Sequence, residues 1–325
     1  MIQPVEMLKT LPMDLHGGFR ATTTDVWSML TASRDGDLDR VNQLCSIEPA
    51  LSTCQYNYTP PLHFAVREGH LPLVRALVDR GALDPAYSTY PFNDSLVTMA
   101  SDRGYDEITE FLKDGLANPA LVHRKGDTGA IDYGMDDTQR RFEKAVHQND
   151  PRGVRRLLDE RPALALDQTS SWSEGVLMMP ANRGWREMLE LLMSHGARVP
   201  DVSKWAPEYY FKHYDIAAFL MANGMNPNHM SWQHVTLLHD MAQRGNIPKA
   251  RLLLDSGADI DSVDEEYRST PLGLAARWGH GSMVAFLLER GADPQKSGAP
   301  WATPLTWARK KGFSAIAADL EHHNG

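Results

Sequence analysis

The side chains that could ligate a metal or carry protons are scattered along this chain of 325 residues. Three of its histidines, His229, His234 and His239, recur at intervals of five. That interval does not place two ligands on one face of a helix, which needs a spacing of three or four. No cluster of cysteines or carboxylates stands beside them in the sequence to complete a zinc site. We therefore predict no metal site and no cofactor.

The sequence also lacks the motifs that mark a catalytic nucleophile. It contains no Gly-x-Ser-x-Gly segment, no phosphate-binding loop and no Cys-x-x-Cys pair. We predict no catalytic residues. One group of rings leaves an alternative open, which is small-molecule binding or catalysis in an aromatic pocket. The residues of that alternative pocket are Trp205, Tyr209, Tyr210 and His213.

The stretch from Ser269 to Asp293 shows which elements would position such side chains. Thr270 and Pro271 are typical of a helix start, because a hydroxyl caps the free N–H groups of the first turn and proline loses nothing there. Gly279 and Gly291 predict two helix ends, since a helix often ends on a left-handed residue. Two short helices are therefore expected, and each needs a neighbouring copy to bury its apolar stripe.

The same pattern returns along the chain at a constant interval. From Gly245 to Gly279 is 34 residues, and from Gly279 to Gly312 is 33. The fullest copy has the form Thr-Pro-Leu-x-x-Ala-Ala-x-x-Gly-His followed by Leu-Leu-x-x-Gly-Ala-Asp. This resembles the ankyrin repeat, whose length is about 33 residues. The resemblance implies an all-α ankyrin-repeat solenoid of about nine helix-turn-helix units over residues 25–325.

Three stretches depart from the repeat. Residues 1–24 precede it, and we expect an N-terminal extension or cap there. An insertion is expected near residues 116–138, because Gly104 and Asn149, which hold equivalent positions, lie 45 apart. It is either a tolerated surface loop or an arm that grips a partner. Near residues 200–215 large rings replace the small alanines, and we expect the stack to bend.

Two histidines occupy the Thr-Pro-Leu-His position of the motif. They are His63 and His239. The resemblance implies that each ring is a structural clamp that hydrogen-bonds to neighbouring turns, so we interpret both as structural.

The ankyrin resemblance also implies that a partner protein binds the concave face formed by the first helices and the turns. The positions just before the glycine of each unit would line that groove, and they are mostly basic. They are Arg34, Arg67, Arg103, Arg183, Arg244, Arg277, Lys310 and Lys311. Since the protein is acidic overall, we predict that these cations face an acidic partner surface. The alternative is that they occupy a helix position that is merely solvated.

Aromatic residues in the predicted turns are a second group of candidate contacts. Exposed Trp and Tyr bury a large area at small entropic cost, so they anchor many interfaces. We predict that Trp172, Trp232 and Trp301 bind the partner, with Trp278 beside Arg277 as the main anchor. The remaining turn aromatics, some of which are expected to pack within the turns, are Tyr56, Tyr58, Tyr87, Tyr90, Phe92 and Tyr267.

Composition limits the partners and the compartment. The formal net charge is −9, which gives no general attraction to nucleic acid or to anionic membranes. Two cysteines, Cys45 and Cys54, argue against a disulfide framework. Residues 1–24 lack the long apolar run of a signal peptide or a membrane span. We expect a cytoplasmic monomer with a protein partner and neither nucleic acid nor membrane, while export as a secreted effector stays open.

Overall fold

The computed structural model describes residues 1–89, 92–122, 130–205 and 209–323. They form two compact units, an N-terminal unit of Val5–Gly134 and a C-terminal unit of Met135–Gly325 together with Met1–Pro4. The regular structure of both units is mainly helical, and the strands are two or three residues long. The prediction of an all-α fold of short paired helices is confirmed. No helix in the described ranges is both long and apolar enough to cross a membrane.

In the N-terminal unit the helices follow one another in pairs. Its elements are β1 (Pro12–Asp14), β2 (Arg20–Thr22), α1 (Thr23–Asp35), α2 (Leu38–Ile47), α3 (Pro61–Arg67), α4 (Leu71–Asp79), α5 (Leu96–Arg103) and α6 (Asp106–Ala117). The first helix of one pair packs on the first helix of the next, as α1 does on α3 and α3 on α5. Among the second helices, α4 packs on α6. The apolar stripe of each helix is thus buried by its neighbour, as expected of tandem repeats.

The C-terminal unit repeats this arrangement. Its elements are α7 (Asp137–His147), α8 (Pro151–Glu160), the single turn α9 (Ser170–Ser173), α10 (Met178–Arg183), α11 (Arg186–Ser194), β3 (Val202–Ser203), α12 (Tyr214–Ala222), β4 (Met230–Ser231), α13 (Leu237–Gln243), α14 (Ile247–Asp255), α15 (Pro271–Arg277), α16 (Gly281–Glu289), α17 (Pro304–Lys310) and α18 (Ser314–His323). First helices pack in the series α13, α15 and α17, and α7 packs on α10. Second helices pack as well, with α16 on α18.

The first helices begin and end where the sequence predicts. The Thr270 hydroxyl accepts a hydrogen bond from the amide of Gly273, and Pro271 fills the first turn of α15. Thr303 caps α17 in the same way. In eight of the pairs, a residue one or two places after the first helix has a positive φ: Gly36, Gly69, Gly104, Asn149, Gly184, Gly245, Gly279 and Gly312. Asparagine can replace glycine in this series because its side chain tolerates the left-handed region.

Four of these glycines, Gly36, Gly69, Gly245 and Gly279, have a second role, because a ring from the next helix pair lies against them. A Cβ built on Gly279 would stand 2.5 Å from the Phe313 ring, and one on Gly245 would stand 2.9 Å from the His280 ring. Real Cβ atoms essentially never approach a heavy atom so closely. The glycine therefore permits both the left-handed turn and the close packing of adjacent units.

Histidines at this ring position also form hydrogen bonds between units. The His70 Nε2 donates to the carbonyl oxygen of Arg34 at 2.8 Å, and the His280 Nε2 donates to that of Gln243 at 2.6 Å. Each accepting carbonyl lies in the last turn of a first helix, where no further helical N–H reaches it. The histidine of the Gly-His motif thus joins one helix pair to the preceding pair by a hydrogen bond.

The N-terminal extension packs as part of the N-terminal unit. β1 pairs with β2 antiparallel, and on its other side Met13 forms a bridge with Ile131. The amide of Asp14 donates to the carbonyl oxygen of Ala130 at 2.9 Å. The end of the predicted insertion therefore adds to this hairpin, while residues 123–129 lie outside the described residues. The boundaries at 1–24, 25–325 and 116–138 stay a prediction.

Two rings of the aromatic stretch near residues 200–215 lie in the interior of the C-terminal unit. Tyr210 and Phe211 are both completely buried. Here β3 and β4 pair in parallel, joining the turns of two successive units. Residues 206–208 lie outside the described part, and the predicted bend of the stack stays a prediction.

Candidate functional site

Two of the arginines predicted to line the groove of the N-terminal unit are buried. The Arg67 side chain is 2% exposed, lies 2.7 Å from the Glu68 carboxylate and stacks over the Phe64 ring at 4.9 Å. Arg103 is 7% exposed and donates to the carbonyl oxygen of Met99 at 3.1 Å. The expectation that Arg67 and Arg103 project into a solvated groove is therefore wrong, because neighbouring residues already hold their guanidinium groups.

Arg277 is also buried, at the centre of an aromatic cluster. Its guanidinium carbon lies 4.4 Å from the Tyr267 ring centroid, 4.1 Å from that of Trp278 and 5.0 Å from that of Trp307. Trp301 is half-buried and packs its ring edge-to-face with Trp307. Cation–π contacts of this kind stabilise the packing of one repeat on the next, here α15 on α17. The expectation of an exposed Arg277 is wrong. That arginine also covers one face of the predicted anchor Trp278.

Of the other predicted cations, Arg34 and Lys311 are half-buried and three are exposed. Arg183 and Lys310 are exposed at the ends of α10 and α17. The Arg244 side chain is 44% exposed and lies 2.9 Å from the carboxylate of Asp240, whose side chain is completely buried. Arg183, Arg244 and Lys310 are therefore the predicted basic residues of the C-terminal unit that a partner can reach.

The turns share a backbone feature that sequence reasoning missed. The residue two places before the N-cap of the first helix, called here the turn tip, has a positive φ in six repeats: Tyr58, Asn93, Gly134, Gly175, His234 and Arg268. Residues beside this tip turn inward, so Trp232 is only 1% exposed and Tyr267 only 2%. The expectation that Trp232 projects toward a partner is wrong. Tyr58, which is itself a tip, is 51% exposed.

The turn at residues Ser170–Gly175, called here the Trp172 turn, departs from this pattern. Before the tip at Gly175, three further residues have left-handed backbone: Ser171 (φ 54°), Trp172 (φ 59°) and Ser173 (φ 64°). Each left-handed residue with a Cβ costs about 1–2 kcal/mol. Trp172 is nevertheless 61% exposed, which makes it the predicted turn tryptophan that is most available to a partner.

Side chains from α7 and from the segment after α11 hold the Trp172 turn in place. On one side, the Ser171 amide donates to Glu143 Oε1 at 2.6 Å, and the Ser171 hydroxyl lies 3.1 Å from His147 Nε2. On the other side, the ammonium group of Lys204 donates to the carbonyl oxygen of Trp172 at 2.6 Å. Charge-assisted bonds of this length are among the stronger ones in proteins. They offset the backbone strain.

The four residues of the alternative aromatic pocket are packed or bonded. Tyr210 is completely buried and donates its hydroxyl to the carbonyl oxygen of Glu174 at 2.6 Å. Burial, with the nearby Glu174 charge second, raises the pKa of Tyr210 well above its ordinary value. Trp205 stacks on Tyr209 with ring centroids 6.2 Å apart, and His213 Nε2 donates to a backbone carbonyl oxygen. The hypothesis that Tyr210 lines an open pocket is wrong.

A groove of about 500 Å³ lies instead between the second helices α11 and α12. None of the four aromatic-pocket residues lines it. Its lining residues include Met193, Arg198, Phe219 and Met225.

The motif histidines are structural, as the resemblance implies. His239 Nδ1 lies 2.7 Å from the Thr236 hydroxyl, and its Nε2 donates to the carbonyl oxygen of Ser269 at 3.1 Å. Burial lowers the pKa of His239 to about 4, so the ring is neutral at physiological pH. His63 Nδ1 lies 2.9 Å from the hydroxyl of Tyr87 in the following turn.

Paired short helices, hydroxyl caps and left-handed glycines define a tandem helical-repeat protein. A family model described as Ankyrin repeats (3 copies) matches residues 208–298, and one described as Ankyrin repeat matches residues 58–89. The chain therefore contains ankyrin repeats at these residues, and the general role of such repeats is protein binding.

Several curated relatives match part of this chain. Palmitoyltransferase ZDHHC17 of Rattus norvegicus is 33% identical over 117 residues, which are 35% of this chain and 18% of the relative. Probable E3 ubiquitin-protein ligase XBOS33 of Oryza sativa subsp. japonica is 28% identical over 247 residues, which are 74% of this chain and 40% of the relative. Ankyrin repeat protein nuc-2 of Neurospora crassa is 32% identical over 142 residues, which are 43% and 10%. This chain therefore spans less than half the length of these relatives.

Proposed function

We propose that this chain is a protein–protein interaction module whose partner binds the face formed by the first helices and the turns. The partner surface that fits it is acidic. The observation that carries this proposal is the exposure of cations at equivalent helix ends of the C-terminal unit, namely Arg183 on α10 and Lys310 on α17. They stand out on a chain whose net charge is −9.

A rigid repeat surface suits this function. The first helices are fixed by their neighbours, so little ordering entropy is lost when a partner binds. Charges on such a surface act mainly on the rate of encounter and on the choice of partner. The aromatic-pocket alternative is not proposed, because Tyr210 is completely buried and its hydroxyl already has a partner. The cytoplasm stays the proposed compartment, since Cys45 and Cys54 are buried free thiols.

Charge reversal at the exposed positions tests the proposal. The double variant Arg183→Glu, Lys310→Glu reverses the exposed cations at two first-helix ends. Arg244 is kept, because it neutralises the buried Asp240 carboxylate and its reversal would destabilise α13. We expect proteins captured from a native lysate by the wild-type chain to be lost or reduced at least about tenfold. Quantitative mass spectrometry of the captured proteins measures this, and circular dichroism verifies the helical content.

A matched control changes the same amount of charge on a second helix. Arg152 and Arg155 are exposed on α8, and their reversal to Glu should leave capture unchanged. Equal losses with both double variants would show that only the total charge matters and would contradict the proposed face.

A further inference from the structure

The Trp172 turn combines strain with exposure in a way that packing alone does not require. A buried turn can be forced into left-handed geometry by the core around it, but the Trp172 side chain is 61% exposed. Strained backbone persists only when its surroundings impose it, and such strain is concentrated at ligand-binding sites. The contacts of Glu143, His147 and Lys204 impose it here.

These contacts hold the backbone from which the exposed Trp172 side chain projects. Its ring also lies 6.3 Å from the His147 ring, which restricts it further. A preorganised aromatic side chain contributes more to binding than a mobile one, because less conformational entropy is lost on association. Tryptophan is the residue type most enriched among those that dominate binding energies.

The surface beside this ring is basic. On α7, Lys144 precedes His147 by three residues, and Arg141 precedes Lys144 by three, so the three side chains share one stripe of the helix. Arg183 is exposed at the end of α10, which packs on α7. Arg141, Lys144 and Arg183 form no ion pair with any other residue that the structure describes. Adjacent repeat units lie about 10 Å apart, which is close to the screening length at physiological salt.

We propose that the Trp172 turn and this basic stripe bind an acidic segment of a partner protein. An apolar side chain of the segment packs on the Trp172 ring, and its carboxylates lie against Lys144 and Arg183. The inference rests on the proposed protein-binding function and assigns it a site and a partner chemistry. An acidic peptide is favoured over nucleic acid because the net charge of −9 repels a phosphate backbone from the rest of the surface.

A random 12-residue peptide library displayed on phage, selected on the full chain, tests the site without knowledge of the natural partner. We expect enriched sequences to carry several Asp or Glu residues around an apolar residue. The fluorescein-labelled synthetic peptide should bind Trp172→Ala and the double variant Lys144→Glu, Arg183→Glu at least about tenfold more weakly than wild type. Tyr58→Ala is the matched control, because Tyr58 is also an exposed aromatic residue with left-handed backbone. The peptide should bind this variant as tightly as it binds wild type.

The variant Trp172→Gly separates a binding role from a structural one. Glycine adopts φ 59° without strain, so the melting temperature should stay equal to wild type or rise, while peptide binding is lost. A purely structural tryptophan would give the opposite result, with a lower melting temperature and unchanged binding.

Three results would overturn the inference. The library could enrich neutral or basic sequences, or none at all. Its peptides could bind Trp172→Gly as well as wild type, in which case the protein-binding function would stand and only the site would be wrong. Finally, a twelve-nucleotide oligothymidylate could compete with the peptide at equal concentration, which would indicate a nucleic-acid site.

Discussion

Gly279 illustrates how one residue satisfies two demands. Its φ of 78° lies where residues with a Cβ are strained, and a Cβ would meet the Phe313 ring at 2.5 Å. Gly312 ends the next first helix with a similar φ of 80°, yet no atom would lie within 4 Å of its Cβ. Since the two sites share the backbone demand, the difference between them isolates the packing of a ring against the glycine.

We therefore expect Gly312→Ala to lower the free energy of unfolding by about 1 kcal/mol, which is the cost of the left-handed region alone. Gly279→Ala should lower it by about 2–3 kcal/mol, because the Phe313 ring must also move. Urea unfolding of the two variants measures the difference. Equal losses would show that the ring imposes no additional constraint and that the interpretation of the Gly-His position is wrong.

At the scale of residues, exposure was the property that the sequence did not determine. Three arginines that lie one or two places before the glycine following a first helix are all predicted to face a partner: Arg67, Arg183 and Arg277. Arg183 is exposed, whereas Arg277 is enclosed by rings from three positions along the chain. Helical periodicity indicates the face of a helix but not which neighbouring ring covers it.

At the scale of elements, the turns connect successive repeats through neutral buried groups. His239 links its own helix cap at Thr236 to the carbonyl oxygen of Ser269 in the next turn. Burial outweighs these hydrogen bonds and lowers the pKa of His239 to about 4. His229, 2.8 Å from the Ser203 hydroxyl, is lowered to about 4 for the same reason. Both rings must therefore be neutral in the folded state.

The pH dependence of stability follows from these lowered values. In the unfolded chain a histidine has a pKa of about 6.5, so as the pH falls below that value the unfolded state binds protons that the folded state excludes. Each of the two histidines should reduce the free energy of unfolding as the pH falls from about 6.5 toward 4, by up to about 1.4 kcal/mol per pH unit.

Urea unfolding at pH 7 and pH 5 measures this slope. The variant His239→Gln should be less stable than wild type at pH 7 and should lose part of the pH dependence. A slope identical to that of wild type would contradict a neutral, buried His239.

Elements were predicted more completely than side-chain positions. The Thr-Pro start and the glycine end of α15 follow from local propensities that operate within one helical turn, so the sequence alone predicts them. The Trp172 turn was not predicted, because Ser171, Trp172 and Ser173 do not favour left-handed backbone. Contacts from Glu143 and Lys204, about 30 residues away on either side, impose that geometry.

At the scale of the whole molecule, the repeat character follows from equal spacing, and the division into two units does not. The interval of 33 to 34 residues between Gly245, Gly279 and Gly312 indicates tandem copies before any contact is known. The boundary between the units at Gly134 and Met135 lies within the predicted insertion. Nothing local in that segment indicates a boundary, because compactness depends on which helices pack together.

The proposed function also belongs to this scale, since it uses several first helices of the C-terminal unit as one surface. The central claim is that a partner binds this surface and not the second helices. The rate of association with a partner recovered by capture tests it most directly. We predict that reversing Arg183 and Lys310 lowers this rate about tenfold and weakens its dependence on salt. The same reversal at Arg152 and Arg155 should leave it unchanged, and equal association rates for the wild type and the first variant would contradict the claim.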